Sequence, residues 1–123
     1  MKTIALVAHD GKKAEMVAFV KDHKDSLSKA HIVATGTTGT YVKQTGLEVE
    51  LKFSGPKGGD AQIAALAAEG KVDGIIFFRD PLGKHPHEPD IQMLMRICDL
   101  YNVPLATNPA TGGLILDGLL ASI

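Results

Sequence analysis

The sequence has 123 residues, which is long enough for one domain, residues 1–123, to bury a core without disulfides or metals. Its 13 Lys and Arg nearly balance 14 Asp and Glu, which excludes nucleic acid and anionic membrane surfaces as partners attracted by overall charge. No run approaches the roughly 20 apolar residues of a membrane helix, and the N-terminal run TIALVA is too short for a signal-peptide core, so the sequence predicts a cytoplasmic protein.

Five short apolar runs alternate with helix-like segments along the chain. The runs predict strands at 3–8, 31–35, 47–53, 74–78 and 103–107, and the segments predict helices at 11–24, 37–45, 59–70, 88–101 and 111–121. This alternation predicts an α/β fold, a three-layer sandwich with a five-stranded parallel sheet. Four runs are continuously apolar, as in buried strands, whereas the third run alternates, which places it nearer an edge.

Most residues that can do chemistry follow the predicted strands. In an open α/β sheet, ligands bind outside the carboxyl ends of the strands, where loops lead into helices. The five loops at these positions read HDGKK, TGTTG, SGPKGGD, RDPLGKHPHEPD and TNPATGG. They predict a single site at one edge of the sheet.

The loop after the first strand offers His9 and Lys13. His9 stands at the carboxyl end of the strand, where this architecture places the ligand crevice, although a packed core histidine fits about equally well. Lys13 follows one helical turn later and can turn its ammonium group back towards an anion, while a solvated surface lysine is the alternative. Both residues are candidates for binding an anionic substrate.

The loop after the second strand, ATGTTGTY, has the composition of an anion site. Gly36 and Gly39 allow close backbone approach, and Thr37 and Thr38 supply hydroxyl groups at the start of a helix. The N-terminus of a helix favours a bound anion. The alternative is a threonine N-cap with glycines for the turn. The loop is not a P-loop, because the following Gly-Lys-Ser/Thr is absent.

The loop after the third strand, SGPKGGD, repeats this theme and adds a carboxylate. Ser54 and Gly55 can give a hydroxyl and an amide to the same anion, and Pro56 stiffens the loop. Asp60 fits either an N-cap of the next helix or a catalytic base, and its position alone does not decide between them. Two polar glycine loops after neighbouring strands favour one shared phosphate site.

The loop after the fourth strand contains Asp80, His85, His87, Glu88 and Asp90. Histidine and carboxylate groups are ligands for zinc, but no Cys or further His cluster completes a tetrahedral site, so no metal is expected. The favoured interpretation is acid–base chemistry by a neutral His87 held by a carboxylate such as Asp90, with Asp80 nearby. Asp90 also fits a simple charge in the first turn of the following helix.

The single cysteine, Cys98, lies within an apolar helical pattern. No catalytic cysteine motif surrounds it. The sequence therefore predicts a small buried hydrophobic residue in a reducing compartment.

Five stretches, VAHDGKK, ATGTTGT, SGPKGGD, FFRDPL and PHEPD, in this order and at these spacings, resemble the methylglyoxal synthase family. The resemblance covers most of the chain. It is specific because Gly-Pro-x-Gly-Gly-Asp occurs together with Asp-Pro-Leu and Pro-His-x-Pro-Asp, whereas each glycine loop alone is a weak signal. It implies a methylglyoxal synthase-like fold, of flavodoxin-like or Rossmann-like type. It also implies conversion of dihydroxyacetone phosphate to methylglyoxal and inorganic phosphate, with no metal or organic cofactor.

The resemblance further implies a role for each site residue. Asp60 would be the catalytic base, His87 would contact the substrate oxygens, and Asp80 and Asp90 would be supporting acids. The substrate and its phosphate would be held by His9, Lys13, Thr35, Gly36, Thr37, Thr38, Ser54 and Gly55. Members are typically homohexamers and some are regulated by phosphate, so a homo-oligomer is expected, with phosphate as product and inhibitor. Longer members carry a C-terminal arginine that reaches a neighbouring site, and that allosteric route is not expected here.

Two alternatives to an enzyme of this family remain. Similar domains are regulatory parts of carbamoyl phosphate synthetase and of a purine-biosynthetic cyclohydrolase, so a non-catalytic domain that binds a phosphorylated metabolite is the first. A metal-dependent hydrolase that uses the loop after the fourth strand is the second. The presence of the acids and His87 in addition to the phosphate loops favours the lyase.

Overall fold

The computed structural model describes residues 1–83 and 88–121, with no account of the side chains of 88–90. The strands are β1 (Thr3–Ala8), β2 (His31–Ala34), β3 (Glu50–Leu51), β4 (Gly74–Phe78) and β5 (Leu105–Ala106). The helices are α1 (Lys13–Asp22), α2 (Lys24–Leu27), α3 (Gly36–Lys43), α4 (Gly59–Ala68), α5 (Glu88–Tyr101) and α6 (Pro109–Leu120). Short 3₁₀ turns, Asp10–Lys12 and Gly55–Lys57, precede α1 and α4.

The sheet has the strand order β3-β2-β1-β4-β5, and every neighbouring pair is parallel. The five-stranded parallel sheet predicted from the sequence is therefore confirmed. The alternating third run lies at the edge, as expected, but only Glu50 and Leu51 pair with β2, and both are exposed. The strand is therefore shorter than the predicted run 47–53.

Two apolar layers cover the sheet, one on each face. On one face, Phe19 of α1 and Leu116 of α6 belong to a cluster that includes Phe78. On the other, Ile63 of α4 belongs with Phe77 to a second cluster, which also contains residues of α5. Adjacent side chains of a strand point to opposite faces, so Phe77 and Phe78 anchor the two layers separately. The three-layer α/β sandwich is thus confirmed.

The first predicted helix, 11–24, is interrupted in the structure. Its beginning forms the 3₁₀ turn, and α1 ends before His23, whose backbone angles of φ −117° and ψ 19° are not helical. The short helix α2 continues after this break. The apolar pattern marked the correct segment, whereas the break depends on backbone geometry that periodicity does not report.

The N-cap of α4 is Gly58, which has a left-handed φ of 103°. Asp60 is the second residue of this helix, so the alternative in which Asp60 is its N-cap is wrong. A left-handed residue is easily provided by glycine, since a side chain would be strained there. The carboxylate of Asp60 is therefore not used as a cap, although it still lies in the first turn at the positive end of the helix dipole.

Cys98 is 2% exposed on α5, in agreement with the structural role predicted from the sequence. Burial, with a smaller contribution from the charge of Asp99, raises the pKa of its thiol from 9.0 to about 11. In the described part of the chain, no helix is both long and apolar enough to span a membrane.

Because the pKa of Cys98 is higher in the folded state, its contribution to stability is complete below pH 9 and is lost as the pH rises from 9.0 to about 11. We expect the free energy of unfolding to fall through this window by about 1 to 2 kcal/mol more in the wild type than in Cys98→Ala. Urea titrations at several pH values measure the difference. Parallel pH profiles for the two proteins would contradict it.

Candidate active site

A cavity of about 220 Å³ lies at the carboxyl ends of β1, β2 and β3. Its walls come from the loops after these three strands and from the first turn of α4. The lining residues are Val7, Ala8, His9, Asp10, Lys13, Thr35, Thr37, Thr38, Ser54, Gly55, Pro56 and Asp60. The structure thus brings together most of the residues selected from the three loops, at the edge of the sheet where they were expected.

His9 is only 4% exposed and extends β1 by one further hydrogen bond, from its amide to the carbonyl oxygen of Phe78 at 3.2 Å. Its ring nitrogen Nδ1 accepts a hydrogen bond from the backbone N–H of Asp80 at 2.9 Å. A nitrogen that accepts carries no proton, so the neutral ring carries its proton on Nε2. His9 therefore combines the two interpretations left open by the sequence: it is packed like a core residue and it lines the cavity.

Lys13 turns its ammonium group back towards the end of β1, as expected. Nζ donates to the carbonyl oxygen of Ala8 at 3.1 Å and to Oδ1 of Asp10 at 2.7 Å. The side chain of Lys13 is 13% exposed, whereas that of Asp10 is 96% exposed. Lys13 is thus a largely buried cation at the cavity wall, rather than a solvated surface lysine.

Asp10 is a residue of the cavity that the sequence interpretation missed. The sequence feature that could have identified Asp10 is its position three residues before Lys13, since this spacing places two side chains on the same side of a helical turn. Their ion pair reduces the conformations open to the ammonium group of Lys13.

The first turn of α3 faces the cavity with its positive end. Thr35 is the N-cap residue, but its side chain makes no capping hydrogen bond. The hydroxyl of Thr38 accepts from the amide of Ala8 at 3.1 Å and donates to the carbonyl of the same residue at 3.3 Å. Thr35 in turn donates its hydroxyl hydrogen to Thr38 Oγ1 at 3.3 Å. These two hydroxyls fasten α3 to β1, and the dipole of α3 favours an anion beside them.

Gly36 and Gly59 allow the two phosphate-type loops to pack together. The amide of Gly36 donates to the carbonyl of Phe53 at 3.1 Å, and a Cβ on Gly36 would lie 3.1 Å from the carbonyl oxygen of Lys52. A Cβ on Gly59 would lie 2.0 Å from the carbonyl oxygen of Phe53. The Ser54 carbonyl accepts from Gly59 at 2.9 Å, which closes the turn that leads to α4. Gly36 is consequently a packing residue of the site and does not itself line the cavity.

Asp60 is 0% exposed, and it lines the same cavity as Lys13 and His9. A buried carboxylate needs compensation, and the positive end of α4 supplies part of it. A base with little access to water, beside a cation and a helix dipole, is suited to removing a proton from a bound anionic substrate.

Asp80 lies behind His9 and does not line the cavity. Its amide holds Nδ1 of His9, and its Oδ1 accepts from the amide of Leu82 at 3.0 Å. Gly11 makes room for its carboxylate, since a Cβ there would be 2.7 Å from Oδ2. The described contacts of Asp80 are those of a residue that supports His9.

The remaining predicted residues belong to the loop after β4 and to the start of α5. His85 and His87 lie outside the described residues, and so does the side chain of Glu88. Asp90 is the third residue of α5, and its side chain is likewise outside them. Within residues 1–83 and the described side chains after 90, no group of three or more His, Cys, Asp or Glu could hold a metal ion.

Comparison with known proteins gives consistent results. A family model described as MGS-like domain matches residues 15–107. Methylglyoxal synthase of Acholeplasma laidlawii is 55% identical over 117 residues, which cover 94% of this chain and 96% of that protein. Methylglyoxal synthase of Thermus thermophilus is 58% identical over 109 residues, or 88% of this chain and 86% of that protein. The crystal structure of methylglyoxal synthase from Elizabethkingia anophelis superposes with a TM-score of 0.88 at 44% identity, covering 94% of this chain and 76% of that one.

Proposed function

We propose that this chain, which belongs to the methylglyoxal synthase family, is a lyase that converts dihydroxyacetone phosphate to methylglyoxal and inorganic phosphate. It acts as a single domain, residues 1–123, in the cytoplasm. The observation that carries the proposal is a fully buried carboxylate, Asp60, in one cavity with Lys13 and two phosphate-type loops. A binding module needs the loops and the cation but has no use for a buried base.

The reaction balances without a cofactor. Asp60 takes a proton from the hydroxymethyl carbon of the substrate, and the C–H electrons form an enediolate with the adjacent carbonyl. The C–O bond to phosphate then breaks as the enediolate electrons form a new double bond at that carbon. As this bond breaks, the hydroxyl on the deprotonated carbon becomes the aldehyde carbonyl and releases its proton, and phosphate leaves with the bonding pair. The remaining enolate takes a proton on carbon to give methylglyoxal. The two protons released, one held by Asp60 and one from the hydroxyl, equal the two taken up, one by carbon and one by phosphate. No electron is gained or lost overall, so neither an oxidant nor a reductant is required.

A carboxylate with an ordinary pKa near 4 is too weak a base for a carbon acid unless the developing oxyanion is stabilised. Preorganised hydrogen-bond donors supply that stabilisation, worth about 3 to 4 kcal/mol for one donor in other enzymes. The neutral ring of His9, with its proton on Nε2, is a donor at this cavity. We assign the same role to His87, with Asp80 and Asp90 as supporting acids.

Elimination further requires the bond to phosphate to stand roughly perpendicular to the enediolate plane, so that it overlaps the π electrons. The substrate phosphate is held by Lys13, by the loop of Thr35, Gly36, Thr37 and Thr38, and by the loop of Ser54 and Gly55. Two loops that bind the phosphate from neighbouring strands limit rotation about the carbon–carbon bond between the phosphate-bearing carbon and the carbonyl carbon. Lys13 and the dipole of α3 offset the charge of the departing dianion.

The purified protein is expected to release methylglyoxal and inorganic phosphate in equal amounts from dihydroxyacetone phosphate, and to do so at the same rate with excess chelator. The reaction needs no metal, because the proton acceptor and the anion-binding groups are all protein groups. Separate assays for the aldehyde and for phosphate measure the ratio. Failure to form product would refute the enzymatic proposal, and loss of the activity on chelation would favour the metal-dependent hydrolase.

We propose a homo-oligomer, a hexamer by resemblance to the family, as the working form. The edge of the sheet supports this, since Leu51 on β3 and Phe53 just after it are exposed and apolar. Exposed apolar groups at a strand edge are commonly covered by another chain. Sedimentation velocity measures the mass, and a single species at the chain mass of 13.0 kDa would contradict the assignment.

A further inference from the structure

We propose that Phe77 is a positioning residue for the reaction, because it fixes the ring of His9 in the orientation that keeps the proton on Nε2. The rings of Phe77 and His9 are nearly perpendicular, at 81°, with centroids 5.1 Å apart. Phe77 is 0% exposed and His9 is 4% exposed, so water does not enter between them. An edge-to-face pair of this kind restrains the orientation of both rings.

The register of the sheet explains why these two residues meet. Val7 pairs with Phe77 and Ala8 pairs with Phe78 across the parallel β1 and β4 strands. Side chains alternate between faces along a strand, so His9, two residues after Val7, lies on the same face as Phe77. This is the face covered by α4, the helix that carries Asp60.

The strand β4 and its extension hold His9 at three points. The carbonyl of Phe78 accepts from the His9 amide, the ring of Phe77 packs against the imidazole, and the amide of Asp80 donates to Nδ1. The hydrogen bond from Asp80 selects the tautomer only while Nδ1 faces that amide. The ring of Phe77 packs against the imidazole and opposes its rotation away from that amide, so it supports the same ring orientation as the hydrogen bond.

Phe78 provides a matched control on the same strand. It is 1% exposed and packs perpendicular to Phe19, at 84° and 5.3 Å, on the opposite face of the sheet. Phe77→Leu and Phe78→Leu therefore remove the same atoms from equally buried positions. Only the first of these changes removes a contact with His9.

We expect Phe77→Leu to lower kcat/KM by about 10- to 100-fold, the loss that small misplacements of a catalytic group produce. Phe78→Leu should leave kcat/KM close to the wild-type value when both variants are assayed at a temperature at which they are folded. In ¹⁵N-histidine-labelled wild type, His9 should show an unprotonated Nδ1 and a protonated Nε2, with mixed tautomers in Phe77→Leu. His9→Gln assigns the resonances.

Equal losses of activity in the two leucine variants, or unchanged His9 resonances in Phe77→Leu, would overturn the inference. If Phe77→Leu does not fold, Phe77→Met replaces it in both measurements. The wild-type spectrum is a test in its own right, because a proton on Nδ1 of His9 would overturn the inference. The kinetic comparison rests on the proposed function, whereas the spectra do not. A wild type that forms no methylglyoxal would thus refute the proposed function, and the spectra would still judge the role of Phe77.

Discussion

Asp60→Asn is expected to lower kcat for methylglyoxal formation by about 10²- to 10⁴-fold, the usual contribution of a general base. Asparagine has nearly the same shape as aspartate but cannot accept the proton from carbon. Asp60 is completely buried and lines the cavity, whereas Asp10, the second carboxylate of the lining, is exposed and paired with Lys13. Rates of phosphate release and of methylglyoxal formation should fall together, since one proton abstraction precedes both.

The matched control is Asp117→Asn, which removes a carboxylate from an exposed position on α6 and should leave kcat unchanged. Calorimetric titration with inorganic phosphate separates loss of the base from loss of the site, because Asp60→Asn should still bind phosphate. Wild-type turnover in Asp60→Asn would contradict its assignment as the base. Loss of phosphate binding together with loss of turnover would mean that Asp60 mainly maintains the site.

Gly59→Ala is expected to destabilise the protein by about 1 to 3 kcal/mol, the typical cost of forcing an extra carbon into a packed region. Its Cβ would lie 2.0 Å from the carbonyl oxygen of Phe53 and 2.9 Å from Cγ2 of Thr35. A backbone carbonyl cannot move aside as a flexible side chain can, so the loop after β3 must shift. That shift also displaces Asp60, the next residue, and should lower kcat in the folded fraction.

Gly118→Ala provides the comparison for Gly59→Ala. Gly118 is also a helical glycine, but it is exposed on α6, and an added Cβ there meets no atom within 4 Å. Alanine at this position should stabilise the protein by about 0.5 to 1 kcal/mol, because glycine is entropically unfavourable in a helix. Urea unfolding measures both changes. A Gly59→Ala protein as stable as Gly118→Ala would show that the loop after β3 adapts without cost.

The residues of the site could be selected from the sequence because each follows a strand whose apolar run is unmistakable. Periodicity identifies the strand, and the parallel architecture then assigns its carboxyl end to the ligand edge. Ser54, Thr37 and Lys13 were found in this way, and all three line the cavity. Asp10 was missed because its contribution depends on an ion pair with Lys13 that only the three-dimensional turn defines.

What the sequence determined by itself was the five strands, the positions of the main helices, the parallel three-layer architecture, the edge strand and the group of polar loops at one end of the sheet. These follow from local patterns, since the face and the burial of a residue are recorded in its spacing from its neighbours. The tertiary structure alone decided that Gly58 rather than Asp60 caps α4, and that the amide of Asp80 sets the tautomer of His9. The last contact joins residues 71 positions apart, and a contact at that separation depends on how the strands pack, which no local pattern records.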